Sequence, residues 1–423
     1  MASRYLSASL SSAVKSCYAF RNLNQVTWCS KANYGVLSSV VRSQIKQSQP
    51  ALKAATRPVL RSSLRQSSTQ SSAITPQTQK MVGRWLLTCA GMCFGAVVIG
   101  GITRLTESGL SMTQWHIIKG MKPPSSEEEW LAEFERYKNF PEYKYLEREL
   151  TLENFKSIFF WEYIHRMWGR SIALVFFIPM VYFLKKGYIS KPMKPRLVIY
   201  GAFLVFQGVL GWYMVKSGLE ISAERKEVPR VSQYRLAAHL GSAMLLFALF
   251  TWQGLSHAFK PLQLPNTAQI ARLRVLSHSA MAVVFFTALS GAFVAGLDAG
   301  LTYNTWPKMA DRWIPTDLFA MSPKWKNFLE NATTTQFNHR HLGELTAAGI
   351  LGLWWMCRKA SLPPRAMMVA HAFAGMALLQ VGLGVATLLM FVPVHMAATH
   401  QTGAMTLLTF AIWLANELRR IPK

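Results

Sequence analysis

The chain is poor in cysteine, in acid and in charge of any kind. It has five cysteines in 423 residues, and they form neither a Cys-x-x-Cys pair nor a Cys/His cluster. That excludes a disulfide framework and a zinc site. Cys17 and Cys29 lie near the N-terminus, Cys89 and Cys93 share one helical face, and Cys357 ends a late apolar run. A free cysteine in such runs packs as a small hydrophobe. Charged residues make up 16% of the chain and hydrophobic ones 51%, against about 25% charged in ordinary soluble domains. Acid is missing altogether before Glu107.

The formal charge of +26 would suit a nucleic-acid surface if it were spread over a folded face. It is not. Residues 1–80 carry Arg4, Lys15, Arg21, Lys31, Arg42, Lys46, Lys53, Arg57, Arg61, Arg65 and Lys80, no acid, and many serines, among them Ser62, Ser63, Ser67, Ser68, Ser71 and Ser72. Basic, serine-rich and acid-free is the pattern of a mitochondrial transit peptide; a disordered basic tail is the plainer alternative. Residues 1–75 are therefore set aside from the fold, and no nucleic-acid partner is expected.

Beyond them come eight apolar runs, at about 83–102, 160–184, 195–216, 235–257, 273–296, 340–357, 366–391 and 395–416. Each approaches the length that spans a bilayer. The expectation is an all-α membrane protein of eight transmembrane helices. Acid-free basic links follow the second run (Lys185, Lys186, Lys191, Lys194) and the sixth (Arg358, Lys359, Arg365), and Arg419, Arg420 and Lys423 close the chain. The opposite loops hold most acids, including Glu127, Glu128, Glu129, Glu133, Glu220, Glu224, Asp298, Asp311 and Asp317. The positive-inside rule then puts both termini on the matrix side of the mitochondrial inner membrane. In the long polar loop 103–158, Ser126 and Glu129 read as a capping box opening an amphipathic helix over 126–138.

The chain also repeats itself. Trp161-Glu162-Tyr163-Ile164-His165-Arg166 returns as Thr335-Gln336-Phe337-Asn338-His339-Arg340, and Gln207-Gly208-Val209-Leu210-Gly211 as Gln380-Val381-Gly382-Leu383-Gly384. Ala238-His239 returns as Thr399-His400, and Gly95 to Gly101 resembles Gly291 to Gly296. Two tandem pseudo-symmetric four-helix bundles follow, 80–257 and 272–418, related by an axis along the membrane normal. Histidines His165, His239, His339 and His400 open the even-numbered helices, all toward the intermembrane-space side. Two facing imidazoles inside a four-helix bundle suit axial ligation of a heme iron, though a lone membrane histidine also serves as a hydrogen-bonded packing residue. His278, His341 and His395 have no counterpart and read as structural, with His395 the competitor for His400. Arg166 and Arg340 suit heme propionates, or snorkel at the boundary. Glu162 stands one turn from His165, where the second half has Gln336. A carboxylate can move a proton or face a developing positive charge, and an amide cannot ionise. This makes the first half the reactive site and the second an electron relay; the plainer reading is that Glu162 only orients His165 or faces the loop.

With these motifs in order, residues 80–420 resemble the heme A synthases, which oxidise a methyl group of heme O to the formyl group of heme A for cytochrome oxidase. The resemblance implies heme b as resident cofactor on His339 and His400, heme O between His165 and His239, and a catalytic Glu162. It further implies membrane lipid, an external electron acceptor or donor, heme O synthase and oxidase assembly factors as partners, with a homo-oligomer kept open. The loop 103–158 has no cysteine, so the cysteine pair of many bacterial members is absent, which fits the mitochondrial branch. Two rivals remain: a diheme b-type cytochrome exchanging electrons with quinone, and a transporter built from parallel repeats.

Overall fold

The computed structural model describes residues 74–115, 122–140, 143–144, 150–220 and 231–420. The leader expected over 1–75 lies outside them except for its last two residues. The described part belongs to one compact unit, 70–423, and among the described residues there is no strand beyond one isolated bridge, Met309 to Arg312.

Eight long helices occupy the eight apolar runs: α1 (Pro76–Leu105), α3 (Leu152–Lys185), α4 (Met193–Glu220), α5 (Gln233–Ala258), α6 (Ala268–Gly296), α7 (Ala332–Lys359), α8 (Pro364–Leu389) and α9 (Val394–Glu417). The shorter α2 spans Glu127–Lys138. Six of these, α1, α3, α4, α5, α6 and α8, are long and apolar enough to cross a membrane. The remaining two long ones, α7 and α9, are the helices that carry His339 and His400, and the polar groups beside those histidines lower their hydropathy.

Local chemistry sets the helix starts. Thr75 caps α1 by accepting from the Thr78 N–H at 3.2 Å, with Pro76 at the first helical position, where its missing N–H is no loss. Thr151, Thr267 and Asn331 cap α3, α6 and α7 in the same way. At α2 the expected box forms only by half. Ser126 accepts from the Glu129 N–H, but the Glu129 carboxylate takes its bonds from the N–H and hydroxyl of Ser125 instead.

α1 packs against α3 and α5, and α4 lies on α5; α6 packs against α7 and α9, and α8 on α7 and α9. Between these groups α5 meets α6 and α9, and α1 meets α9. Cross-group bonds run from Arg104 to the Ala295 carbonyl (2.7 Å) and to Asp298 (3.0 Å), from Gln401 to the Val97 carbonyl (2.7 Å), and from Asn416 to Ser256 (2.8 Å). One core runs through all of it, including Leu86, Phe176, Phe250, Leu273, Phe373 and Ile412. A second, smaller core seats α2 on the first turns of α3. There Phe134 and Tyr137 lie 5.0 and 5.2 Å from the Phe155 ring, and Trp130 lies edge-on to Phe159 at 5.1 Å. The cysteines Cys89, Cys93 and Cys357 are free and buried.

Candidate functional site

Each of the four repeated histidines projects from its helix onto a glycine of a neighbouring one. A Cβ on Gly100 of α1 would stand 2.8 Å from Cε1 of His165; on Gly211 of α4, 3.4 Å from that of His239; on Gly291 of α6, 3.2 Å from that of His339; on Gly384 of α8, 2.9 Å from that of His400. Real Cβ contacts are seldom as short as those at Gly100, Gly291 and Gly384, so glycine at these three places is what lets the Cε1 edge of an imidazole reach the next helix, while the contact at Gly211 is looser. The ring centroids of His339 and His400 are 6.3 Å apart, with their planes at 89°. His395, by contrast, is exposed. It is thus His400 that the fold brings to His339. His341 turns to Glu344 and Phe337, and His278 to the Arg274 carbonyl.

This pairing corrects one register. The sequence aligns Gly95 with Gly291, but Gly95 meets the Trp168 indole, while Gly100 stands where Gly291 does. In the corrected register the loops after α1 and α6 match too. Ser108-Gly109-Leu110-Ser111 parallels Ala299-Gly300-Leu301-Thr302, and Trp115 parallels Trp306. Glu107 (φ 51°) and Asp298 (φ 49°) take the same left-handed turn, a conformation unusual for such side chains. The signal was available in the sequence, in a loop that looks unremarkable beside the histidine motifs.

These loops are pinned by the residues that flank His165 and His339. Glu162, 3% exposed, accepts from the Met112 N–H and the Ser111 hydroxyl, both at 2.7 Å, and pairs with Arg166. Arg166 donates further to the carbonyls of Met112 and Gln114, each at 2.9 Å, and stacks over Trp115 at 4.5 Å. In the other half Gln336 donates to the carbonyls of Ala299 (2.8 Å) and Tyr303 (3.2 Å), and Arg340 to that of Thr305 at 3.0 Å. Glu162 and Gln336 are matched in position and opposite in polarity: Glu162 accepts from an N–H and a hydroxyl of its loop and Gln336 donates to two C=O groups of its own, while both arginines donate to carbonyls. Arg166, read from the sequence as a propionate contact, has its guanidinium engaged mainly by Glu162 and this loop.

All four histidines, together with Glu162, Arg166, Gln336 and Arg340, line one cavity of about 1430 Å³ that extends through both helix groups. That exceeds the roughly 300–1,000 Å³ of a single small-molecule pocket. Among the described residues no group of three or more His, Cys, Asp or Glu is placed to hold a bare metal ion. Paired histidines are too few for a bare ion, which takes four or more ligands, and suffice for an iron already held in the plane of a macrocycle. The glycine cradles and the imidazoles facing an apolar cavity therefore fit a heme.

Residues 83–412 match the family model described as COX15-CtaA, cytochrome oxidase assembly protein. The chain belongs to the COX15-CtaA family. Relatives in curated collections include heme A synthase COX15 of Homo sapiens, 55% identical over 345 residues, 82% of this chain and 84% of that one. The Saccharomyces cerevisiae protein of the same name is 41% identical, covering 81% of this chain and 76% of that one. Heme A synthase of Rhodospirillum centenum is 45% identical, over 83% and 91%. The match runs from within α1 to within α9 and takes in the four histidine-bearing helices.

Proposed function

We infer that this chain is a heme A synthase, an oxidoreductase that converts the methyl group of heme O to the formyl group of heme A for cytochrome oxidase. One observation carries the reading: a single cavity holds two glycine-backed histidine pairs, and the matched buried position three residues before the first histidine of each is a carboxylate, Glu162, in one and an amide, Gln336, in the other. A diheme electron carrier has no use for that inequality, and a transporter has none for the paired imidazoles.

The eight long helices form two pseudo-symmetric four-helix bundles, 80–257 and 272–418. Support comes from equivalent packing (α1 on α3 and α5, as α6 on α7 and α9) and from four equivalent histidine–glycine contacts. Both termini face the matrix of the mitochondrial inner membrane, as the basic links after α3 and α7 indicate.

Heme O binds between His165 and His239, entering sideways from the lipid, in which its farnesyl tail is soluble. His339 and His400 hold heme b, which when bound supplies a one-electron acceptor connected to an external partner. Turning a methyl into a formyl group adds one oxygen, from water or by hydroxylation, and with water as its source releases four electrons to the external acceptor together with four protons, so the first site needs a fixed negative charge or a proton outlet beside the substrate. Glu162 is the residue there. Its oxygens accept from the Met112 N–H, the Ser111 hydroxyl and Arg166, which fixes the carboxylate in place. As it stands it presents charge to a developing cation. Arg166 and Arg340 fix the loops after α1 and α6, and Arg340 is the better placed of the two for a propionate, since Arg166 is already paired with Glu162.

Extraction and chromatography of hemes from purified protein test this. Wild type should hold heme b together with heme O or A; His165→Ala should lose only the O/A type, and His339→Ala the heme b. Loss of the same single heme b in both variants would return the protein to the diheme or transporter readings.

A further inference from the structure

The four imidazoles share a cradle and differ in what holds the far edge of each ring. In the second half both Nδ1 atoms have partners. The Ser290 hydroxyl donates to the Thr287 carbonyl at 2.7 Å, which turns a lone pair to His339 Nδ1, also at 2.7 Å. The Gln380 amide lies 3.2 Å from His400 Nδ1, donates to the His400 carbonyl at 2.8 Å, and has a buried Oε1 with no partner. A half-turn of that amide would set Oε1 against an Nδ1–H, the tautomer that leaves Nε2 free for iron, in exchange for the bond to the His400 carbonyl. In the first half Nδ1 of His165 and Nδ1 of His239 are both buried without a partner.

Two substitutions between matched positions produce the contrast. The residue before the cradle glycine is Ser290 in α6 and Ile99 in α1. The glutamines match, Gln207 with Gln380, but Gln207 is captured by Ser242 at 2.6 Å. The position matching Ser242 is Gly403, where a Cβ would stand 2.1 Å from Gln380 Oε1. Glycine there gives Gln380 the room to reach its histidine.

We propose that these hydrogen bonds make the second site a retaining one and the first an exchanging one. Ser290 and Gln380 are positioning residues that lock His339 and His400 on a resident heme; Ile99 and Ser242 leave His165 and His239 able to turn, so that heme O enters and heme A leaves. This rests on the ligand assignment of the preceding section. The hydrogen bond to a ligand's second nitrogen fixes ring orientation and raises its basicity, and its removal lowers metal affinity by about 10–100-fold.

The test is release of heme from the purified full-length protein to excess apomyoglobin, with chromatography identifying which heme leaves, alongside redox titration of heme b. Ser290→Ala and Gln380→Leu should speed heme b release by about tenfold or more and move its midpoint potential upward, leaving O/A-type release as in wild type. Ile99→Ser with Ser242→Gly should slow O/A-type release. Ser290→Thr and Gln380→Glu, which keep an acceptor, should restore slow heme b release; failure of that rescue would make the effect one of packing and overturn the proposal. So would unchanged release and potential in the first two variants, or unchanged O/A release in the double variant. Heme b retained in His339→Ala is a separate result, and would overturn the ligand assignment instead.

Discussion

Two glycines two residues apart in the Gln380–Gly384 motif carry different loads. A Cβ on Gly382 meets nothing within 4 Å, whereas one on Gly384 meets His400 at 2.9 Å. Gly384→Ala should therefore strip heme b from the purified protein, read by its absorbance spectrum, and Gly382→Ala should keep it. The Glu162–Arg166 pair separates chemistry from stability in a similar way. Glu162→Gln leaves the guanidinium its two carbonyls, so the protein should purify with normal heme content and lose about 10²-fold or more in heme A production. Arg166→Leu instead leaves a buried carboxylate without its cation, at a cost of about 3–5 kcal/mol, seen as a clear drop in thermal unfolding temperature. The contrast of Glu162 with Gln336 was legible in the sequence because the flanking motifs align without gaps. The partners of the histidine Nδ1 atoms were not, because each comes from another helix, and a serine or glutamine in an apolar run looks like any other small polar residue.

Helix α3 begins at Leu152, well before the apolar run that announces it at about 160. Hydropathy registers only the stretch that meets lipid. The preceding turns are amphipathic, and their apolar face is covered by α2. Phe155, fully buried, is the keystone of that contact. Phe155→Ala should remove about 3–5 kcal/mol from it and expose α2 to limited proteolysis, with the heme spectrum retained. Helix existence was thus readable from periodicity, and helix ends were set by tertiary covering and by caps. The half-formed box at Ser126 is one such case. The bonds from Ser125 hold the Glu129 carboxyl below its ordinary value; this contribution is present at neutral pH and is lost as pH falls through the lowered value. The first-helix register went astray for a related reason. The run Gly95 to Gly101 holds three glycines, and only the ring each one faces, Trp168 for Gly95 and His165 for Gly100, says which job it does.

At the scale of the molecule the two helix groups are joined by more than the segment 259–267. Arg104, Gln401 and Asn416 each bond across the boundary, and α5 and α9 run against each other. Expressed as two separate pieces divided within 259–267, the halves should co-purify, and the second piece should hold heme b; pieces that elute apart would show the covalent link to be necessary. The repeated motifs were legible in the sequence, because His165-Arg166 and His339-Arg340 each follow Glu162 or Gln336 at the same short spacing, and Ala238-His239 returns as Thr399-His400. That the two sites open into one cavity was not, because no sequence pattern records how the groups face each other.

The opposed polarity of Glu162 and Gln336 toward their loops keeps the two residues from being interchangeable. A carboxylate at 336 would point its oxygens at the carbonyls of Ala299 and Tyr303, and an amide at 162 would set an N–H₂ against the Met112 N–H or forgo the Arg166 pair. Exchanging the two residues would not exchange the two halves, since each loop has set its backbone to suit the group it now holds. No single substitution at either position would therefore make the two loops alike, because the partner atoms that each loop presents are opposite in kind.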